Sequence, residues 1–302
     1  MNRLLNAGNG GHPMGDSTCQ LIKSWGFDGV RLSISLYQPT HMIQLLVDEL
    51  VRNELKGMLI VGGWQVWRDG QEVEVREAHA HEDVAAQAGD IAGLIQLNGL
   101  AGWIECGNEP DITKNMNHQR FVDQCRTSLA AVRRVSDVPF INGGVSNLSK
   151  KGGLKYLRKC LEKGLPKGNG IATGIHPYRT GLKPWDQFEG RYINELYELV
   201  SEAAGAISVT EIGWHTAPQT RKVGCLGLGR EGFAFTDAQI ADFAAWELDT
   251  ALMNAIDVYV WYQINDGPDP NYDMDRYGVR RFDTFDDTKP VVESFKNWNP
   301  MV

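Results

Sequence analysis

The sequence predicts an α/β fold, a single (β/α)8 TIM barrel spanning residues 1–302, on three observations. Short β-rich runs alternate with longer amphipathic ones along the whole chain. Eight such units fit within 302 residues, and no Pro/Gly/Ser-rich linker divides them. Alternation of this kind demands parallel pairing with helices outside, and eight units suit a closed barrel better than an open sheet.

The strands are read in order as Leu4–Ala7, Gly29–Ser35, Gly57–Gly63, Gly102–Gly107, Pro139–Gly144, Ile171–His176, Ile207–Ile212 and Asp257–Ile264. Helical spacing fills the intervals: Phe121, Cys125, Leu129 and Val132 share one face, as do Phe188, Tyr192, Leu196 and Leu199. Ile240, Phe243, Ala244, Leu248 and Leu252 form a third stripe, opened by the capping residues Thr236 and Asp237. A last helix follows Pro290, within Lys289 to Trp298. The glycines of "GNGGHPMG" after strand one lack GxGxxG spacing, so they read as a turn-rich loop and not as a phosphate cradle. Three βα loops, the third, seventh and eighth, are longer than connection requires: Trp64–Ala80, His215–Phe235 and Asn265–Lys289. All follow strands, which places them on one face of the barrel, where long loops shape a cleft.

Composition narrows the function classes. A net charge of −8 with scattered basic residues argues against nucleic acid, which needs a concentrated basic face. The densest basic cluster, Lys150, Lys151, Lys155, Arg158 and Lys159, reads as a solvated helix face. The same acidity disfavours anionic membranes, and no apolar run approaches the length of a span. Cys19, Cys106, Cys125, Cys160 and Cys225 show no CxxC pairing and fall mostly inside apolar patterns, as buried free thiols do. The N-terminal run is too short for a Sec signal; the expectation is a cytoplasmic protein, or one released by a non-Sec route such as lysis or carriage on a virion. The loop "DPNYDMD" alternates Asp269, Asn271, Asp273 and Asp275 like the front of a calcium loop, but Met274 stands where glycine is needed and Arg280 where the closing glutamate belongs. No His/Cys/Asp spacing suggests zinc, so no metal and no cofactor is expected.

Two carboxylates carry the chemistry. "WIECGNEPDI" ends strand four with Asn108 and Glu109 side by side, and "SVTEIGW" ends strand seven with Glu211. Strands four and seven face one another across a barrel mouth, so their terminal side chains can converge on one pocket. Carboxyl groups about 5–5.5 Å apart would suit double-displacement glycoside cleavage, and a gap of about 6.5–9.5 Å would suit single displacement through water.

At these residues the chain resembles the clan-A retaining glycoside hydrolases, the four-seven superfamily. The resemblance runs through the chain: Arg31 in "VRLSIS", His176 and Tyr178 in "GIHPY", Trp261 in "VWYQIND", and the closing "YGVRRFDTFDDTKPVVESFKNW". It implies that Glu109 donates a proton to the glycosidic oxygen and Glu211 attacks the anomeric carbon. It further implies that Arg31 and Tyr178 orient Glu211, His176 stands near that same carboxylate, and Asn108 bonds the sugar 2-hydroxyl. Trp261 is then the aromatic floor, with Trp214 and Trp64 as further candidates for stacking on the sugar. The implied partner is a polysaccharide or oligosaccharide, cut endo-fashion in a groove made by the long loops. The rival readings are a lectin-like barrel that binds without cutting and a metal-dependent hydrolase on the same fold. His12, His79, His81 and His215 read as loop residues.

Overall fold

The computed structural model describes residues 1–8, 11–146, 148, 151–178, 182–187, 191–214, 235–264, 278–280 and 288–299. Ten strands appear among them: β1 (Asn2–Asn6), β2 (Gly29–Ser33), β3 (Lys56–Val61), β4 (Gln65–Arg68), β5 (Gln71–Glu74), β6 (Gly102–Asn108), β7 (Phe140–Val145), β8 (Ile171–Ile175), β9 (Ile207–Ile212) and β10 (Val258–Tyr262). Eight of these pair in parallel and close into a barrel in the order β1-β10-β9-β8-β7-β6-β3-β2. Each barrel strand leads to a helix: α1 (Asp16–Ser24), α2 (Thr40–Arg52), α3 (His81–Asn98), α4 (His118–Arg133), α5 (Lys151–Glu162), α6 (Ile193–Ala204), α7 (Asp237–Met253) and α8 (Val291–Asn297). The predicted fold class is therefore observed, with each predicted strand displaced by two residues or fewer at either end.

Strand side chains alternate between the two faces of a sheet, and here the two sets build two layers. Leu4, Met58, Trp103, Ile141, Val258 and Val260 meet inside the barrel as a plug of side chains. Their neighbours Leu5, Leu59, Ile104, Phe140, Val209, Tyr259 and Trp261 face the helices and join the larger core. An odd or even position on a strand thus decides whether a residue reaches the lumen or the helix layer. Register shifts interrupt the ladder between β7 and β8, at Asn142 to Val145, and between β9 and β10. Two steps along β10, Tyr259 to Trp261, stand against three along β9, Val209 to Ile212. The extra residue is a bulge at the end of β9, a device that re-aims a side chain.

The helix stripes hold with one exception. Phe121, Cys125 and Val132 are buried on α4, and Ile240, Phe243, Ala244 and Leu248 on α7. The Oγ of Thr236 accepts from Gln239 N as the cap of α7. On α6 the buried face is Ile193, Leu196, Tyr197 and Val200. Tyr192 is the residue before that helix and is 41 % exposed. Tyr192 and Leu199 therefore do not define the stripe, and Phe188 lies outside the described residues. Lys155, Arg158 and Lys159 are exposed on α5, as a solvated face requires. Cys19, Cys106, Cys125 and Cys160 are free and buried; Cys225 lies outside the described residues.

The third loop is more ordered than the sequence reading supposed. Asp69 and Gly70, with φ of 49° and 81°, form a two-residue turn that joins β4 to β5 as an antiparallel hairpin. An Asp-Gly pair between β-rich runs favours this turn, because both positions need positive φ. Bridges Leu36–Val66 and Glu77–Lys114 fasten the hairpin region to the neighbouring loops of the same barrel face. Most of the seventh and eighth loops, with the acidic Asp269–Asp275 run and His215, lies outside the described residues. Among the described residues no helix is long and apolar enough to cross a membrane.

Candidate active site

The strand ends bring Glu109 and Glu211 together. One carboxylate oxygen of each, with a ring nitrogen of His176, lies within 4.8 Å of the others. His176 stands between them, its Nδ1 3.3 Å from Glu109 Oε1 and 3.5 Å from Glu211 Oε2. Both glutamates depend on departures from regular strand geometry. By simple alternation from Ser208 and Thr210, Glu211 would face the helices, and the β9 bulge turns it to the mouth. Glu109 follows β6 in the left-handed region at φ 46°, a conformation that costs a non-glycine residue energy and persists only where its surroundings impose it. Those surroundings are explicit. Glu109 N donates to Gly144 O at 3.0 Å, and Glu109 O accepts from Thr113 Oγ1 at 2.9 Å.

The two carboxyl groups sit in opposite settings. Glu211 is the acceptor for three side chains. Asn6 Nδ2 donates to Oε1 at 3.1 Å, Arg31 Nη1 donates to the same oxygen, and Tyr178 OH donates to Oε2 at 3.1 Å. Burial alone would raise its pKa, but His176, Arg31 and Tyr178 outweigh that and hold it below the ordinary carboxylate range. Glu109 has no such array. Burial pushes its pKa up, against the opposing pull of His176 and with help from the nearby Glu211 and Asp111 charges. For His176, burial works to lower the pKa and the two glutamates reverse it, leaving the imidazole above its usual value. Burial and neighbouring charge thus move the two carboxyl groups in opposite directions, Glu109 upward and Glu211 downward.

Gly144 on β7 makes the room for this arrangement. A methyl group at that position would collide with the His176 ring and with Thr210 Oγ1. Asn108 accepts from Arg31 Nη2 at 2.8 Å through Oδ1, which orients its amide beside the carboxylates. Trp64 donates through Nε1 to Thr113 Oγ1 at 2.9 Å, and Arg76 lies over its ring at 4.4 Å. It therefore props the turn that carries Glu109.

Two of the expected sugar-stacking residues are elsewhere. Trp261 is fully buried on the helix side of β10, packed on Trp214 at 6.0 Å and Phe295 at 5.4 Å between ring centroids. Trp214 is only 2 % exposed and donates to Leu182 O. Both belong to the core. The mouth-facing aromatic at this strand end is Tyr262, one residue on, which is half-buried and packs edge-on to Tyr178 at 6.3 Å. Three further participants escaped the sequence reading: Asn6, Tyr262 and Glu105. Their signal was positional. Asn6 shares a face with the lumen residue Leu4, Tyr262 with Val258 and Val260, and Glu105 with Trp103. Of the histidines read as loop residues, His12 rests on Trp67 and His79 Nε2 pairs with Gly63 O at 2.9 Å, whereas His81 opens α3 and His215 lies outside the described residues.

No ligand set was visible as sequence spacing, yet folding gathers one. Glu109, His176 and Glu211 form the one such group among the described residues. Both Glu211 oxygens are already engaged, and Arg31 supplies the compensating positive charge there. The set is thereby better suited to moving a proton than to holding a cation.

No family model matches the chain, and no curated protein does. Solved structures do resemble it in fold. A family 39 glycoside hydrolase from the gut symbiont Bacteroides cellulosilyticus WH2 superposes with a TM-score of 0.64 at 16% identity, over 98% of this chain and 62% of its own. This chain thus spans less than two thirds of that protein. Fungal β-1,4-galactanases give 0.65 at 9% identity, covering 97% of this chain and 99% of theirs. A GH113 β-1,4-mannanase gives 0.61 at 12% identity, covering 97% and 96%. At such identities the likeness speaks for the fold, a parallel barrel of the kind these glycoside hydrolases carry.

Proposed function

We propose that the chain is a glycoside hydrolase that cleaves O-glycosidic bonds of a polysaccharide or oligosaccharide with retention of configuration. Glu109 is the acid/base and Glu211 the nucleophile. The observation that carries this reading is the pair of carboxylate oxygens within 4.8 Å, with the pKa of Glu109 raised by burial and that of Glu211 lowered by His176 and Arg31. So close a pair suits direct attack by a carboxylate and leaves little room for an intervening water. In the first step Glu211 bonds the anomeric carbon as the glycosidic bond breaks, and the departing oxygen takes the Glu109 proton. In the second, Glu109 as base draws a proton from water, which displaces Glu211. Asn108, fixed through Oδ1, keeps its amide N–H groups for the sugar 2-hydroxyl. Tyr262 takes the stacking role expected of Trp261, and Trp64 supports the acid. The hairpin β4–β5 on the catalytic face is consistent with a groove for an extended chain and hence with endo cleavage.

The test is a glycan panel followed by reducing-end release, with NMR of the first-formed anomer. Turnover with the starting anomeric configuration is expected, abolished by Glu211→Gln. Inverted first product would remove Glu211 as nucleophile, and full turnover in both Glu109→Gln and Glu211→Gln would remove the enzyme assignment.

A further inference from the structure

A second buried glutamate lies beneath the mouth, outside the chemistry assigned so far. Glu105 is fully buried on β6 and faces the lumen. Its carboxylate clamps the guanidinium of Arg31 at two points, Oε2 to Nε at 2.6 Å and Oε1 to Nη2 at 3.0 Å, and Oε1 also accepts from Gly144 N at 3.2 Å. Strand β3 lies between β2 and β6, so this pair crosses the lumen instead of running along a shared ladder.

Two physical arguments follow. The first is geometric. A guanidinium offers its donors in one rigid plane. A two-point grip on the Nε/Nη2 edge fixes that plane, and the remaining edge then meets Glu211 through Nη1, while Nη2 also reaches Asn108. The second is charge balance. Arg31 is 1 % exposed and permanently cationic. His176, whose pKa the two glutamates raise, becomes a second buried cation when it takes up a proton. Glu211 answers one of them; Glu109, protonated before reaction, answers neither. Glu105 supplies the second anion. When the Glu109 proton passes to the departing oxygen and Glu211 becomes an ester, the anionic charge moves from one glutamate to the other and the balance is kept. Without Glu105 the pocket would carry an uncompensated positive charge throughout, a costly state for a buried site.

We propose that Glu105 is a positioning residue, a fixed counter-charge that divides the pull of Arg31 and aims its free edge at Glu211. This rests on the reading of Glu211 as the nucleophile. A purely structural tie would affect folding and leave the titration of its neighbours alone, so the experiment reads titration first. Glu105→Gln is compared with the unaltered protein by ring NMR of His176 across pH. Removal of the counter-charge is expected to lower the His176 pKa by about one unit or more. An unmoved His176 titration in the folded variant would overturn the proposal. In kinetics the same variant should lose kcat by about tenfold or more with KM within about threefold, and its acidic limb should shift to lower pH as Arg31 acts undivided on Glu211. If Glu105→Gln does not fold, Glu105→Asp carries the test. It keeps the charge and withdraws the clamp by one methylene, so kcat should fall about tenfold, and an unchanged kcat would overturn the proposal. Failure of the catalytic reading is separable, because it would show as full turnover in Glu211→Gln, whereas the His176 titration reports on Glu105 whatever the reaction.

Discussion

The ends of β6 and β9 make an instructive pair. Each presents a glutamate to the same hollow, within reach of the same imidazole. The glutamate of β9 meets Asn6, Arg31 and Tyr178, and its pKa is lowered. That of β6 meets His176 in a buried setting, and burial raises its pKa. Residue type is shared, so it does not set the opposite pKa directions. The number and charge of the donors brought from other strands do, because each hydrogen bond to a carboxylate favours its charged form while desolvation opposes it.

The hardest way to break this comparison is to neutralise each side in turn. Glu211→Gln should lower kcat on the order of 10^4-fold or more, since no covalent intermediate can form. Glu109→Gln should lower it about 10^2- to 10^4-fold, and less for substrates whose leaving group needs no proton; equal losses on all leaving groups would undo its assignment as the acid. A second contrast separates neighbours on β10. Trp261→Ala should destabilise the fold by about 3–5 kcal/mol as a core truncation, visible as a lower Tm, while the folded fraction keeps its kcat. Tyr262→Ala should do the reverse, raising KM or lowering kcat with little change in Tm. Matching effects from both variants would contradict their placement on opposite faces.

Smaller effects sharpen the pKa contrast. The proposed mechanism requires Glu211 ionised and Glu109 protonated. The pH profile of kcat/KM should therefore rise on an acidic limb below the ordinary glutamate value of about 4.3 and fall on an alkaline limb above it. The alkaline limb should vanish in Glu109→Gln. Tyr178→Phe removes one of the donors to Glu211 and should cost about 1.5–3 kcal/mol, roughly 10- to 150-fold in kcat, with the acidic limb moved upward. An unmoved limb would show that Arg31, Asn6 and His176 suffice to hold the charge.

Much of this was legible in the chain. Strand–helix alternation placed Glu109 and Glu211 at the ends of the fourth and seventh barrel strands, because periodicity is a local property and a barrel converts order along the chain into position around the rim. Trp261 shows where that reading fails. A strand's two faces differ by a single residue, so choosing the larger aromatic in place of its neighbour exchanges the core for the cleft. Glu211 fails in the opposite sense: strict alternation would have hidden it, and only the bulge brings it into the mouth. Glu105 was visible as a charged residue in an apolar strand, but its purpose needed Arg31, 74 residues away, to be seen against it.

The sequence by itself determined that eight strands and eight helices alternate, which residues can be buried, and which two glutamates end facing strands. Only the tertiary structure decided in which direction each glutamate's pKa moves, which aromatic faces the hollow, and that a third glutamate clamps Arg31 beneath them. Packing periodicity is written in neighbours a few residues apart. Proton affinity is a sum of desolvation and of donors delivered from strands up to 205 residues distant, and that sum exists only once the barrel has closed.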